Sequence, residues 1–262
     1  MNESARGDPE APPLLLLRPL GGSTRLWGKF RSQLAKHFYV MSFDPPARLT
    51  TRAMADDARH VLDQFERKHA HVFGLSLGGM VATELAARWP RRVDRLVLAS
   101  APLQGAQIWS SIDLATLAPL VAAFLQPGKA MAESFAEHIL TVAFRDAHPD
   151  AVREIRRTAR KAPGSHLDAA VSLLAAARHD ARRIARNIKS PTLVIAGAKD
   201  TLLPPAQQRL LSRAIKHAEY AEVKGGGHDL SLEKPEQTAR LVTRFLRGLT
   251  RRRTCTPIGS QL

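Results

Sequence analysis

The chain is predicted to fold as an α/β domain with a mostly parallel sheet and helices on both faces. Short apolar runs alternate with stretches of helical period, the connections between them are short, and 262 residues suit one large sheet. Leu14 to Leu17, bounded by Pro13 and by Pro19, Gly21 and Gly22, reads as a buried strand ending in a tight loop. A second run, Phe38 to Phe43, ends at Asp44, Pro45 and Pro46. Between them Leu26, Trp27, Phe30, Leu34 and His37 recur at three- and four-residue steps, as a helix covering a sheet requires.

A helix is expected from Thr51 to about Lys68, with Ala58, Val61, Leu62 and Phe65 on its apolar face and Thr50 or Thr51 as N-cap. The strand His71 to Leu75 follows, then a turn at Ser76, a helix from Gly78 to Trp89 stopped by Pro90, and the strand Val93 to Ala99. Strand–helix alternation of this kind implies right-handed crossovers between parallel strands. The alternation breaks between Leu103 and Arg186, where Leu114–Leu125, Ser134–Phe144, Ala151–Arg160 and Leu167–Arg178 read as helices with no strand among them. It resumes with the strand Thr192–Ala196, the helix Pro205–His217, the strand Tyr220–Val223 and a last helix from Pro235 to about Leu249. The division expected is a core of residues 12–102 and 187–250, a helical cap at 103–186, and flexible termini at 1–11 and 251–262.

Composition narrows the class. No apolar stretch approaches the roughly 18 residues of a membrane span. The start of the chain carries Glu3, Asp8 and Glu10 among three prolines rather than a signal peptide, so a cytoplasmic protein is expected. The single cysteine, Cys255, excludes an intrachain disulfide and a cysteine metal cage. No His-x-x-x-His spacing points to a metal, and no cofactor is expected. The formal charge of +15 attracts anions at long range. Eleven Lys/Arg against five Asp/Glu between Arg145 and Lys189 concentrate that charge in the cap. An arginine-rich solvated surface accounts for it more simply than an acidic partner does. Only fourteen aromatics and no recognition motif argue against specific nucleic-acid binding.

Gly74-Leu75-Ser76-Leu77-Gly78 is a G-x-S-x-G pattern set between a strand and a helix, the context of a nucleophile elbow. The turn strains the serine backbone and leaves its hydroxyl clear of the sheet, so the residues two before and two after must be very small. Gly74 and Gly78 are, and Gly79 adds room. The N–H of Leu77, at the free end of the new helix, is placed to stabilise an oxyanion, and a second donor is expected from the loop after the first strand. A serine hydroxyl is a poor nucleophile without a base, and the base needs an acid to hold its tautomer. Asp200 follows the strand Thr192–Ala196 through Gly197-Ala198-Lys199, and His228 follows the last strand through Gly225-Gly226-Gly227. Parallel strands bring all three side chains to one sheet edge.

On these residues, with Arg92-Val93-Asp94-Arg95-Leu96-Val97-Leu98 and Pro204, the chain resembles the α/β-hydrolase superfamily from about Leu14 to Gly248. The resemblance implies a catalytic triad of Ser76, Asp200 and His228, an oxyanion hole from the Leu20 and Leu77 amides, and a cap that shapes the acyl pocket. Two departures stand out: Arg18-Pro19 replaces the family's usual His-Gly, and Asp44-Pro45-Pro46-Ala47 replaces a Gly-x-Gly-x-Ser loop. The elbow and cap size are similar to small carboxylesterases, including pimeloyl-carrier-protein methyl ester esterases. That likeness implies an acidic carrier protein gripped by Arg153, Arg156, Arg157, Arg160 and Lys161. The expected activity is cleavage of a carboxylic ester or thioester, small or carrier-bound. The alternatives are acyl transfer on the same triad and a noncatalytic binding module whose basic cap docks an acidic partner.

Overall fold

A run of four leucines leaves a strand no face for solvent, and in the computed structural model β2 (Pro13–Leu17) lies inside the sheet, between β3 and β4, with all four leucines buried. The structure describes residues 2–20, 24–106, 137, 139–160 and 166–249. Seven strands follow the order β1-β3-β2-β4-β5-β6-β7. They are β1 (Asn2–Arg6), β2, β3 (Tyr39–Asp44), β4 (Ala70–Leu75), β5 (Val93–Ala99), β6 (Thr192–Gly197) and β7 (Ala218–Val223). All pairs are parallel except β1 with β3.

Alternate side chains of the strands feed two cores. Leu15, Leu17, Met41, Phe43 and Val72 pack with α2 (Thr51–Gln64) and α3 (Leu77–Arg88) on one face. Leu14, Leu16, Val40, Phe73 and Leu75 pack on the other with α1 (Gly28–Leu34) and the C-terminal helix Pro235–Leu246. Phe30 of α1 sits 4.9 Å from Phe73 between ring centroids, and Trp27 meets Phe73 edge-on at 5.9 Å. Such pairs add about 1 kcal/mol each beyond the area they bury and fasten α1 to the sheet.

Several boundaries differ from the sequence reading, and two of them have a clear physical cause. Residues 2–6, expected to be flexible, form β1 along the edge of β3. This strand has no apolar alternation to reveal it. Backbone pairing holds it, together with Arg31, whose guanidinium donates to Ser4 Oγ, Ser4 O and Val40 O. Helix α2 begins as expected, with Thr50 Oγ1 accepting from Ala53 N, but ends at Gln64. Glu66 turns left-handed at φ 55°, Glu66 N–H bonds Asp63 O and Arg67 N–H bonds Leu62 O. This is a Schellman closure built without glycine.

Between β5 and β6 lie helices α4 (Val142–Ala147), α5 (Pro149–Arg160) and α6 (His166–Arg178). Ile139, Leu140, Val152 and Ile155 form a small apolar cluster that packs onto Leu26 and Leu232 of the core. The expected helix Leu114–Leu125, residues 134–136 and 138 of the expected helix Ser134–Phe144, and the tail 251–262 lie outside the described residues. The described part of Ser134–Phe144 is not one helix, because the chain bends at Leu140 and starts again as α4 with Thr141 Oγ1 accepting from Phe144 N–H. After β6 come α7 (Pro205–Ala214), then β7, the single turn α8 (Leu230–Glu233) and α9 (Pro235–Leu246). Among the described residues no helix is long and apolar enough to cross a membrane.

The chain runs from β2 outward to β3 and returns on the other side of β2 as β4. Loops leaving β2 and β4 at their C-terminal ends therefore diverge and open a crevice.

Candidate active site

Ser76 stands at the tip of β4, where the turn into α3 holds it at φ 54°, ψ −117°. A non-glycine residue reaches this conformation only when its surroundings over-determine it. Here Ser76 N–H donates to Ala99 O at 2.9 Å, and Ser76 O accepts from Gly79 N–H at 2.8 Å and Met80 N–H at 3.1 Å. The flanking glycines are close-packed: a Cβ on Gly74 would lie 2.3 Å from Gly78 O, and one on Gly78 only 2.0 Å from Leu17 O. No side chain fits at either position.

His228 arrives from β7 through Gly225-Gly226-Gly227, and Asp200 from β6. The two loops touch, since a Cβ on Gly197 would be 2.0 Å from Gly227 O, and Lys199 N–H donates to Gly226 O. His228 Nε2 is 2.9 Å from Ser76 Oγ, and His228 Nδ1 is 2.9 Å from Asp200 Oδ2. An ionised carboxylate only accepts, so Nδ1 carries the proton, Nε2 is left as acceptor, and the Ser76 hydroxyl donates to it. Asp200 Oδ1 takes the Leu203 N–H at 2.8 Å, and Gln208 Nε2 lies 3.3 Å from Oδ2 while donating to Leu203 O. Asp200, His228 and Gln208 are all buried.

Burial disfavours the charged form of His228. The charge and hydrogen bond of Asp200, with the more distant charges of Asp229 and Glu233, outweigh it and hold the imidazole above its ordinary range. Burial also raises the carboxyls of Asp229 and Glu233, against hydrogen bonds that favour their ionised forms. Asp229 caps α8 through Ser231 and Leu232, and Glu233 grips Thr141 by N–H at 2.9 Å and Oγ1 at 2.7 Å.

Leu77 is the first residue of α3, so its N–H has no acceptor within the helix. Leu20 is partly buried against the same apolar cluster as Leu77. Its loop touches the elbow, because a Cβ on Gly78 would also come within 2.7 Å of Arg18 O.

Sequence reasoning missed four supports. Ser100, left-handed at φ 47°, donates its hydroxyl to His228 O at 2.7 Å and pins the histidine loop. Gln208 backs Asp200, Glu233 ties the helical insertion to the histidine loop, and Arg18 pairs with Asp44. Ser100, Gln208 and Glu233 belong to no motif, Arg18 stood out only as a departure from one, and each acts across at least eight residues of chain.

The arrangement can pass a proton from a serine hydroxyl to an imidazole held by a carboxylate, which defines a hydrolase of the α/β type. The chain belongs to the alpha/beta hydrolase fold family, whose profile matches residues 12–235. It is 28% identical to the protein named "Putative carbamate hydrolase RutD" from Agrobacterium fabrum, over 92% of this chain and 95% of that one. It is 26% identical to 3-oxoadipate enol-lactonase 2 of Acinetobacter baylyi, over 90% and 89% of the two chains. Among solved structures, the enol-lactonase from Burkholderia xenovorans superposes with a TM-score of 0.83 at 26% identity, covering 94% of this chain and 96% of its own.

Proposed function

We propose that the protein hydrolyses a carboxylic ester or thioester through an acyl-enzyme on Ser76. The observation that carries this reading is the unbroken hydrogen-bonded relay at the C-terminal edge of the sheet, from the half-buried Ser76 Oγ through the buried His228 to the buried Asp200. Ser76 Oγ attacks the carbonyl carbon as its proton passes to His228 Nε2. The oxyanion is held by the N–H groups of Leu77 and Leu20. His228 returns the proton to the departing alcohol or thiol. It then takes a proton from water as the water oxygen attacks the acyl carbonyl, and gives it to Ser76 Oγ as the acyl C–Oγ bond breaks, releasing the acid and restoring Ser76. Asp200 stays ionised throughout and stabilises the imidazolium.

Two relatives named enol-lactonases support a C(=O)–O bond as the target and make cyclic esters worth testing beside open-chain ones. The basic insertion adds little. Among the described side chains Arg153 pairs with Asp150, Arg157 with Glu154, and Arg156 lies 3.9 Å from Glu137, so these three offer an acidic carrier less free charge than composition suggests. Lys161 and the side chain of Arg160 lie outside the described residues.

The test is hydrolysis of a chain-length series of p-nitrophenyl esters and of simple lactones by the wild type and by Ser76→Ala, both shown to be folded. Activity should fall by about 10⁴-fold or more in the variant. A folded wild type that turns over no ester and does not react with a fluorophosphonate would overturn the reading.

A further inference from the structure

Arg18 follows β2 directly, and its side chain is only 14% exposed, beside an Asp44 side chain that is 5% exposed. Arg18 Nε lies 3.1 Å from Asp44 Oδ1, a charge contact rather than a directed hydrogen bond, since the Nε–H has no aligned acceptor. Arg18 Nη1 does donate a hydrogen bond, at 3.3 Å, to the carbonyl of Pro19. That carbonyl and the Leu20 N–H are the two ends of one peptide group. No described peptide is cis, so they point in opposite directions from the same plane.

We propose that Arg18, anchored by Asp44, is a positioning residue that sets the Pro19–Leu20 peptide plane and thereby aims the Leu20 N–H into the oxyanion hole. This rests on the reading of Ser76 as an acylating nucleophile.

The proline makes the device necessary. Its ring fixes φ near −65° and removes its own N–H, so the next peptide is the first in the loop able to donate after Arg18. One soft torsion remains, the ψ of Pro19, and it turns the Pro19 carbonyl and the Leu20 N–H together. A guanidinium on the carbonyl restrains that torsion. It also draws electron density toward the oxygen, which strengthens the N–H at the far end as a donor. Asp44 spans the loop: the same Oδ1 that faces Arg18 accepts the Thr24 N–H at 3.1 Å, so one carboxylate oxygen holds both ends of the segment from 18 to 24. Burial works against the charged guanidinium and Asp44 works for it. A buried ion pair is weak evidence for stability, which leaves room for a positional role.

The experiment is steady-state hydrolysis of the best p-nitrophenyl ester by the wild type, Ser76→Ala, Arg18→Met and Arg18→Lys, each checked by thermal melting. It also measures inhibition by a trifluoromethyl ketone, whose hemiketal oxygen occupies the oxyanion position. A misaimed donor acts on the transition state alone, so Arg18→Met should lose about 10- to 100-fold in kcat with KM within about two-fold. Its affinity for the ketone should fall by the same factor. Arg18→Lys, still able to reach a carbonyl, should recover part of both. If Arg18→Met does not fold, Arg18→Lys carries the test, with an expected loss of about three-fold or more in kcat at unchanged KM.

Wild-type kcat and ketone affinity in every folded Arg18 variant would overturn the proposal while Ser76→Ala remains inactive and the hydrolase reading stands. A loss confined to KM would overturn it equally, by assigning Arg18 to ground-state binding. A folded wild type that attacks no ester overturns both readings.

Discussion

At His228 the decisive quantity is the balance between desolvation and the acids around it, and it tips toward the charged ring. In the proposed mechanism His228 is a base, and an imidazole can take a proton only when neutral. Activity should therefore be lost as pH falls through a midpoint above the ordinary 6.5, visible as the acid limb of kcat/KM. Asp200→Asn removes the nearest compensating charge, so it should lower that midpoint and reduce kcat on the order of 10⁴-fold. An unmoved midpoint would mean that Asp200 does not hold the imidazolium. His179 behaves in the opposite sense. It is buried at the start of α2, its Nδ1 3.1 Å from Thr51 Oγ1, and burial drives it from 6.5 down to about 4. Between those values the unfolded chain holds a proton that the folded chain refuses, so the contribution of His179 to stability should fall as pH drops from about 6.5 to 4, by about 3 kcal/mol. The contribution of His228, Asp229 and Glu233, whose folded values are raised, runs the opposite way. Urea melts of the wild type and His179→Gln at pH 7 and 4.5 check this: from pH 7 to 4.5 the wild type should lose more stability than the variant, by about 2–3 kcal/mol, and an equal change in both would sink the assignment.

At the scale of elements, the strand–turn–helix from β4 to α3 is where backbone geometry makes chemistry. Ser76 holds its strained conformation because Gly74, Gly78 and Gly79 let the helix start, the strand end and Ala101 close around it; a Cβ on Gly79 would lie 2.5 Å from Ala101 Cβ. Gly78→Ala would drive a methyl into the Leu17 carbonyl, which is backbone and can yield only by moving the end of β2. It should cost about 2 kcal/mol, read as a fall in Tm of roughly 5 °C, and should reduce kcat because the Leu20 loop moves with that strand end. A variant of wild-type Tm and activity would show that the elbow is looser than these contacts imply. The G-x-S-x-G spacing was legible because it states this steric demand directly. The end of α2 was not, because its closure uses Glu66 in a conformation normally left to glycine.

For the whole molecule, three strand ends converge on one edge, and the helical insertion is tied to the same edge by a few polar contacts. Glu233 reaches from α8 to Thr141, and Asp229 N–H donates to the carbonyl of Ile139, a member of the apolar cluster with Leu140, Val152 and Ile155. Charge-assisted hydrogen bonds of this kind are worth about 1.5–3 kcal/mol, so Glu233→Ala should speed hydrogen exchange at Thr141 about 10-fold or more while β4 and β5 keep their protection. Unchanged exchange at Thr141 would mean that the apolar cluster alone holds the insertion.

The sequence by itself determined the strands β2 to β7 and the helices that alternate with them, their parallel pairing, and the strand ends at which Ser76, Asp200 and His228 stand. Apolar periodicity, glycine spacing and strand ends are local properties written in consecutive residues. Only the tertiary structure decided that a polar segment, Asn2–Arg6, becomes a strand, since its stabilisation comes from β3 and Arg31 rather than from its own pattern. It alone brought Ser100 to the His228 carbonyl and Gln208 to Asp200, through contacts spanning 128 and 8 positions. It also turned Arg18, which read along the chain as a departure from a motif, into a cation seated on the Pro19–Leu20 peptide. A side chain's partner across the fold is set by packing, and no period in the sequence records it.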